Sequence, residues 1–141
     1  MTPARELLED LFQTAVAAVH PSACLAPHLP PPPPNGRLTL LAAGKAAGSM
    51  IGVAERHYLD TLGLPPAVLS GLAVTRHGYG GLPTRKIPVI EAGHPIPDDK
   101  GLAAALETLE LAKNATADDL VVVLLSGGAS ANWIAPADGI S

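Results

Sequence analysis

The stretch that most restricts the fold is Asp118 to Ser130, reading D-D-L-V-V-V-L-L-S-G-G-A-S. Val121 to Leu125 are apolar without alternation and run straight into Ser126-Gly127-Gly128. A strand with one wet face alternates apolar and polar residues, so this run reads as a strand buried on both faces, the pattern of a parallel sheet. The loop that leaves it has a chemistry of its own. Gly127 and Gly128 have no Cβ, so an anion can approach their main-chain N–H groups, and Ser126 and Ser130 add hydroxyls. The same glycine pair also reads as a plain turn between strand and helix.

The rest of the chain repeats the strand-and-helix alternation. Arg37 to Ala43 is a short apolar strand, and Gly44-Lys45-Ala46-Ala47-Gly48-Ser49-Met50 opens a helix that continues towards Leu62. Its small first residues allow close packing on a sheet, and its free N–H groups make a second point that favours an anion. Lys45 stands there, either as a ligand-binding group at the carboxyl end of a strand or as a solvated surface lysine. Gly71 to Thr75 and Ile87 to Glu91 read as two further strands. The first empties into Arg76-His77-Gly78-Tyr79-Gly80-Gly81, the second into Ala92-Gly93-His94-Pro95-Ile96-Pro97-Asp98. His94 follows a strand end, where it can bind substrate or exchange a proton; a hydrogen-bonded loop histidine is the alternative. Asp98 fits the N-cap of a helix from Asp99 to Lys113, with Leu102, Ala105, Leu106, Leu109 and Ala112 on one face.

Ahead of the first strand, Pro3 to Val19 places Leu7, Leu8, Leu11, Phe12, Ala15 and Val19 at helical spacing, with Thr2 as its N-cap. Pro30 to Pro34 follow, a run of about 15 Å in polyproline II that reads as a stiff spacer. Residues 1–36 therefore form a helix and proline-rich spacer, and 37–141 an α/β domain. Buried strands alternating with helices predict a mostly parallel sheet flanked by helices, with ligands at the carboxyl ends of the strands. The loops after Ala43, Glu91 and Leu125 share that edge.

Composition narrows the partners. The chain has 141 residues, enough for one domain, and 48% of them are hydrophobic but only 3% aromatic, so the core is built of Ala, Val, Leu and Ile. Nine Lys and Arg against 13 Asp and Glu give a net charge of −4 without a basic run, which argues against nucleic acid. No apolar run reaches membrane-spanning length and no basic leader opens the chain, so the expectation is a cytoplasmic protein. Cys24 is the sole cysteine and has no local motif. Lys45 is not part of a G-x-x-x-x-G-K-[ST] loop, the dinucleotide pattern G-x-G-x-x-G is poorly matched, and the five histidines lack zinc spacing. No metal ligand is assigned.

Three stretches together resemble the N-terminal domain of MOFRL-type glycerate 2-kinases, whose members are often labelled hydroxypyruvate reductases. They are Leu41-Ala42-Ala43-Gly44-Lys45-Ala46-Ala47-Gly48-Ser49-Met50, Glu91-Ala92-Gly93-His94-Pro95-Ile96-Pro97-Asp98, and Leu124-Leu125-Ser126-Gly127-Gly128-Ala129-Ser130-Ala131. Thr75-Arg76-His77-Gly78-Tyr79-Gly80 is also similar, and the likeness covers nearly the whole chain. The resemblance implies a layered, Rossmann-like α/β domain and transfer of the γ-phosphate of ATP to the 2-hydroxyl of D-glycerate, with Mg²⁺ as helper. It makes Lys45 the catalytic group that offsets charge, with Gly44, His94, Ser126, Gly127, Gly128 and Ser130 holding substrate or phosphate.

Two departures qualify this. The family usually has a third glycine followed by Ser-Ala-Leu-Leu, where this chain has Ala129 and then Ser130-Ala131-Asn132-Trp133; a positive φ at 129 would strain the loop. Members also run to roughly three times this length and carry a C-terminal domain that closes the cleft. The expectation is therefore a fragment without that domain, truncated where Ser141 reads as the N-cap of a further helix, and self-associating through an unpaired sheet edge. Two other functions remain open from the sequence: a noncatalytic anion-binding or oligomerising module, and an NAD-dependent hydroxypyruvate reductase.

Overall fold

The computed structural model describes residues 3–81 and 83–140; the caps expected at Thr2 and Ser141 lie outside them. Four parallel strands form one sheet in the order β3-β2-β1-β4, with β1 Leu38–Ala43, β2 Leu69–Arg76, β3 Val89–Ala92 and β4 Leu120–Leu125. The helices are α1 Pro3–Val19, α2 Pro21–Cys24, α3 Ala47–Arg56, α4 Asp99–Lys113 and α5 Ala129–Asn132. Helix α3 is extended by a π-helical turn over His57–Thr61, which carries it to Leu62. The expected layered α/β architecture is present.

β1 is the centre of the sheet and is buried at every position, because β2 and β4 flank it and a helix layer covers each face. On one face Leu38, Leu40, Ala42, Ala73 and Leu124 pack against Ala47, Ile51, Ala54 and Tyr58; on the other, Leu72, Val74 and Ala92 pack against Ala104. Tyr58 is the largest fully buried side chain, and its hydroxyl donates to the Pro30 carbonyl at 2.8 Å. The proline run is thus fastened to the domain, with Leu25 and Leu29 packed on the same core.

β2 and β3 are parallel but joined without a helix among the described residues. The connection is held instead by Glu55 on α3, 2% exposed, whose carboxylate accepts the backbone N–H groups of Arg85, Lys86 and Ile87. β3 starts at Val89 rather than at Ile87: Pro88 has no N–H to give to the ladder, and the Ile87 N–H is taken by Glu55 at 3.0 Å.

Three expectations need correction. β4 is not buried on both faces: it is an edge strand, Leu120, Val122 and Leu124 turn to the core, and Val123 and Leu125 are 48% and 60% exposed. The buried side of α4 is Gly101, Ala104, Ala105 and Thr108, while Leu106 and Leu109 stay exposed. Small residues allow that side to lie close on β2 and β3. The helix α1 forms as its spacing predicts, but none of its residues is buried.

Candidate functional site

Parallel strands β1, β2 and β4 end at one edge, and their registers bring Ala43, Val74 and Leu125 level. The loops that follow are bonded to one another. Gly44 N–H donates to the Val74 carbonyl at 3.1 Å, Lys45 N–H to the Gly127 carbonyl at 3.0 Å, and Ser126 N–H to the Ala43 carbonyl at 3.0 Å. Gly44 is at φ +109°, a region a side chain rarely adopts, and a Cβ there would stand 2.4 Å from the Ser126 carbonyl oxygen. Close approach of the two loops therefore requires glycine at 44.

Ser126 takes a different place from a phosphate-facing hydroxyl. Its Oγ accepts the Ala46 N–H at 3.0 Å and donates to the Ala43 carbonyl at 3.4 Å, so the side chain fastens the glycine loop to the start of α3. Gly128 makes the left-handed turn, φ +93°, and no non-glycine residue among those described has a positive φ. Ala129 begins α5 instead, so losing the family's third glycine costs the backbone nothing. The N–H groups of Gly127 and Gly128 make no hydrogen bond to the described residues, and Gly127 has open space around it.

The His94 loop closes the cluster. A Cβ on Gly128 would lie 2.7 Å from His94 Nε2 and 3.5 Å from Lys45 Cε, so imidazole, lysine stem and glycine backbone meet at this point. Gly44, Lys45, His94 and Gly128 are brought together, Gly127 lies on the open side, and Ser130 is exposed on α5. A fourth loop also joins, since a Cβ on Gly48 would stand 2.3 Å from the Gly80 carbonyl oxygen.

Beside this cluster is an arrangement that residue patterns did not single out. His77 Nε2 is 3.1 Å from Asp98 Oδ2, and its Nδ1 is 4.0 Å from Glu91 Oε2. Glu91 in turn accepts the N–H groups of Gly78 and Gly80 at 3.1 and 3.0 Å, which holds the glycine-rich loop in place. Asp98 caps α4 through the Gly101 N–H at 2.9 Å. Backbone N–H donation from Gly93 and Gly101, with His77 adding to it, lowers the Asp98 carboxyl to a pKa of about 2. Asn132, wholly buried, is a further missed residue: its Nδ2 donates to the carbonyls of Gly93 and Ala92 at 2.9 and 3.4 Å. Its signal in the sequence was an amide where the resembling family has leucine.

The fold and its loop cluster define a class: a parallel α/β domain whose strand-end loops converge on exposed backbone donors and a lysine. The family described as "Domain of unknown function (DUF4147)" matches residues 7–141, and the chain belongs to it. Among its relatives, a glycerate 2-kinase of Pyrococcus horikoshii is 43% identical over 107 residues, 76% of this chain and 22% of that protein. A protein of Agrobacterium vitis carrying the name hydroxypyruvate reductase is 35% identical over 133 residues, 94% of this chain and 28% of that one. The crystal structure of a Thermotoga maritima glycerate kinase superposes with TM-score 0.74 at 29% identity, covering 98% of this chain and 32% of the other. The chain thus spans about a third or less of the length of these relatives, corresponding to their N-terminal domain.

Proposed function

We propose that this chain forms the lysine and glycine-loop side of a glycerate 2-kinase site, where the γ-phosphoryl group of ATP passes to the 2-hydroxyl of D-glycerate. The observation that carries this reading is the meeting of Lys45, His94 and Gly128 beside the unpaired N–H groups of Gly127 and Gly128. Relatives named glycerate 2-kinase supply the substrate class.

In the reaction the 2-oxygen of glycerate forms a bond to phosphorus, the bond to the β-phosphate oxygen breaks, and ADP leaves. Negative charge spreads over the phosphoryl oxygens in the transition state, so positioned cations and backbone donors are the main demand on the protein. Lys45 offsets that charge, or that of the glycerate carboxylate. Gly127 offers its N–H at a point no side chain obstructs, Gly128 offers a second one beside His94 and Lys45, and Ser130 offers an exposed hydroxyl on α5. His94 stands beside them, where its imidazole can take up the hydroxyl proton. Gly44 and Ser126 hold the loops in the shape this needs.

A phosphoryl group fits this donor set. Mg²⁺ in such a reaction is held mainly by the phosphates with one or two carboxylates; the described residues include no group of three His, Cys, Asp or Glu side chains that would hold it by themselves, and no step is assigned to it. We further propose that copies of the chain associate through the uncovered face of β4.

The test is a coupled assay for 2-phosphoglycerate formed from ATP, Mg²⁺ and D-glycerate, run beside ATP and phosphate titrations. Turnover abolished by Lys45→Ala is expected. Phosphate binding without turnover would leave either this half of a kinase site lacking the rest of the enzyme or a noncatalytic anion-binding module, and absence of both would sink the kinase reading.

A further inference from the structure

Asn132 ends α5, six residues beyond Ser126 in the sequence, and is 0% exposed. Its Nδ2 donates to two carbonyl oxygens, Gly93 at 2.9 Å and Ala92 at 3.4 Å, while its Oδ1 is buried without a hydrogen-bond partner among the described residues. The two acceptors fix the orientation of the amide, because turning it over would set oxygen against oxygen. A buried carbonyl oxygen without a donor is a cost to the fold, and an apolar side chain of similar volume would avoid it. Packing alone therefore gives no reason for an amide here.

What the amide does give is a tie. It joins the helix that follows the glycine loop to Gly93, the residue immediately before His94. Ser126 fastens the same glycine loop to the start of α3. With both ties made, the loops bearing Lys45, His94 and Gly128 form one unit. The Ala92 carbonyl has a second donor, His77 N–H at 3.2 Å, but no other donor reaches Gly93 among the described residues. Loss of the amide therefore acts first on Gly93: its carbonyl turns towards water and takes His94 with it.

We propose that Asn132 is a positioning residue, its amide holding the His94 loop against the glycine loop so that the imidazole shares the space of Lys45 and Gly128. This rests on the reading of the loop cluster as an anion site.

The test uses the full chain and the variant Asn132→Leu, with three readouts: thermal stability, the nuclear Overhauser contact between the His94 ring and the Gly128 α-protons, and titration with inorganic phosphate. Asn132→Leu removes both the tie and the orphan oxygen, so Tm is expected to shift by less than about 4 °C. The ring contact is expected to disappear and phosphate affinity to fall about tenfold. A variant that keeps the ring contact and binds phosphate within about twofold of the parent overturns the proposal. Should leucine prevent folding, Asn132→Ala carries the same two readouts with less crowding. If the parent itself does not bind phosphate, the anion reading fails, and the ring contact still decides whether Asn132 positions His94.

Discussion

At Gly128 one missing Cβ does two things. It permits φ +93°, and it leaves the space that His94 Nε2 would otherwise lose to a carbon 2.7 Å away. Gly128→Ala is expected to cost about 1–2 kcal/mol in urea unfolding from the backbone alone. Because the imidazole must also move, phosphate binding should weaken by about tenfold or more. Gly127→Ala is the contrast: nothing lies within 4 Å of its Cβ position, so unfolding should shift by less than about 0.5 kcal/mol. Equal damage at both positions would mean that loop flexibility, not shape, is what matters.

Asp98 adds a pH dependence at the same scale. Its carboxyl titrates at about 2 in the folded chain against an ordinary 3.8, so the unfolded chain takes up the proton first as pH falls. The stability it contributes is complete above about pH 4 and is lost between about pH 4 and 2. Thermal melts of Asp98→Asn across that range should show a flatter acid limb than the parent. An unchanged limb would place the acid sensitivity elsewhere, with Asp119, also lowered by the N–H groups of Arg37 and Thr116, as the next group to replace.

Among the elements, the connection from β2 to β3 depends most on one side chain. Glu55→Ala would strand the N–H groups of Arg85, Lys86 and Ile87 and is expected to cost about 3 kcal/mol or more in urea unfolding. A change below about 1 kcal/mol would show that water replaces the carboxylate. No local pattern announces such a residue, since its partners lie 30 to 32 positions away. Signals carried by local chemistry were legible: the α4 cap at Asp98 and the glycine turn after Ala43 stand where the sequence places them, and the strand read from Arg37 to Ala43 starts one residue later, at Leu38. β4 shows the limit. Its unbroken apolar run describes side chains and not neighbours, and among the described residues it pairs on one side with β1 and on the other with nothing. The α4 face differs from its leucine pattern for a related reason. Leucines mark a helix's apolar stripe, but the closest contact with the sheet falls on Gly101, Ala104 and Thr108, where small side chains let the backbones approach. Lys45, His94 and Gly128 could be grouped in advance because a parallel sheet puts its strand-end loops on one edge. The Ser126 clasp and the Asn132 amide, which depend on hydrogen bonds between loops distant in sequence, could not.

Among the described residues, two of the places that leave apolar side chains exposed bear on association. One is the outer face of β4, where Val123 and Leu125 are exposed beside a free strand edge. The other is α1, where Leu7, Leu8, Leu11, Phe12 and Val19 are each more than half exposed. A flat edge strand with apolar side chains is a template for pairing with another chain, and a strand offers main-chain hydrogen bonds that a helix surface lacks. β4 is therefore the stronger of the two contacts. Light scattering during size exclusion should show association that grows with concentration, and Val123→Lys together with Leu125→Lys should return the chain to a monomer. Both side chains are exposed, so the change should leave urea unfolding of the monomer within about 0.5 kcal/mol per site. Persistent association in that double variant, abolished instead by Leu8→Lys with Phe12→Lys, would move the contact to α1. The Lys45 and His94 loops, which lie at the carboxyl end of the sheet, should keep their phosphate response in either case, because neither apolar surface includes them.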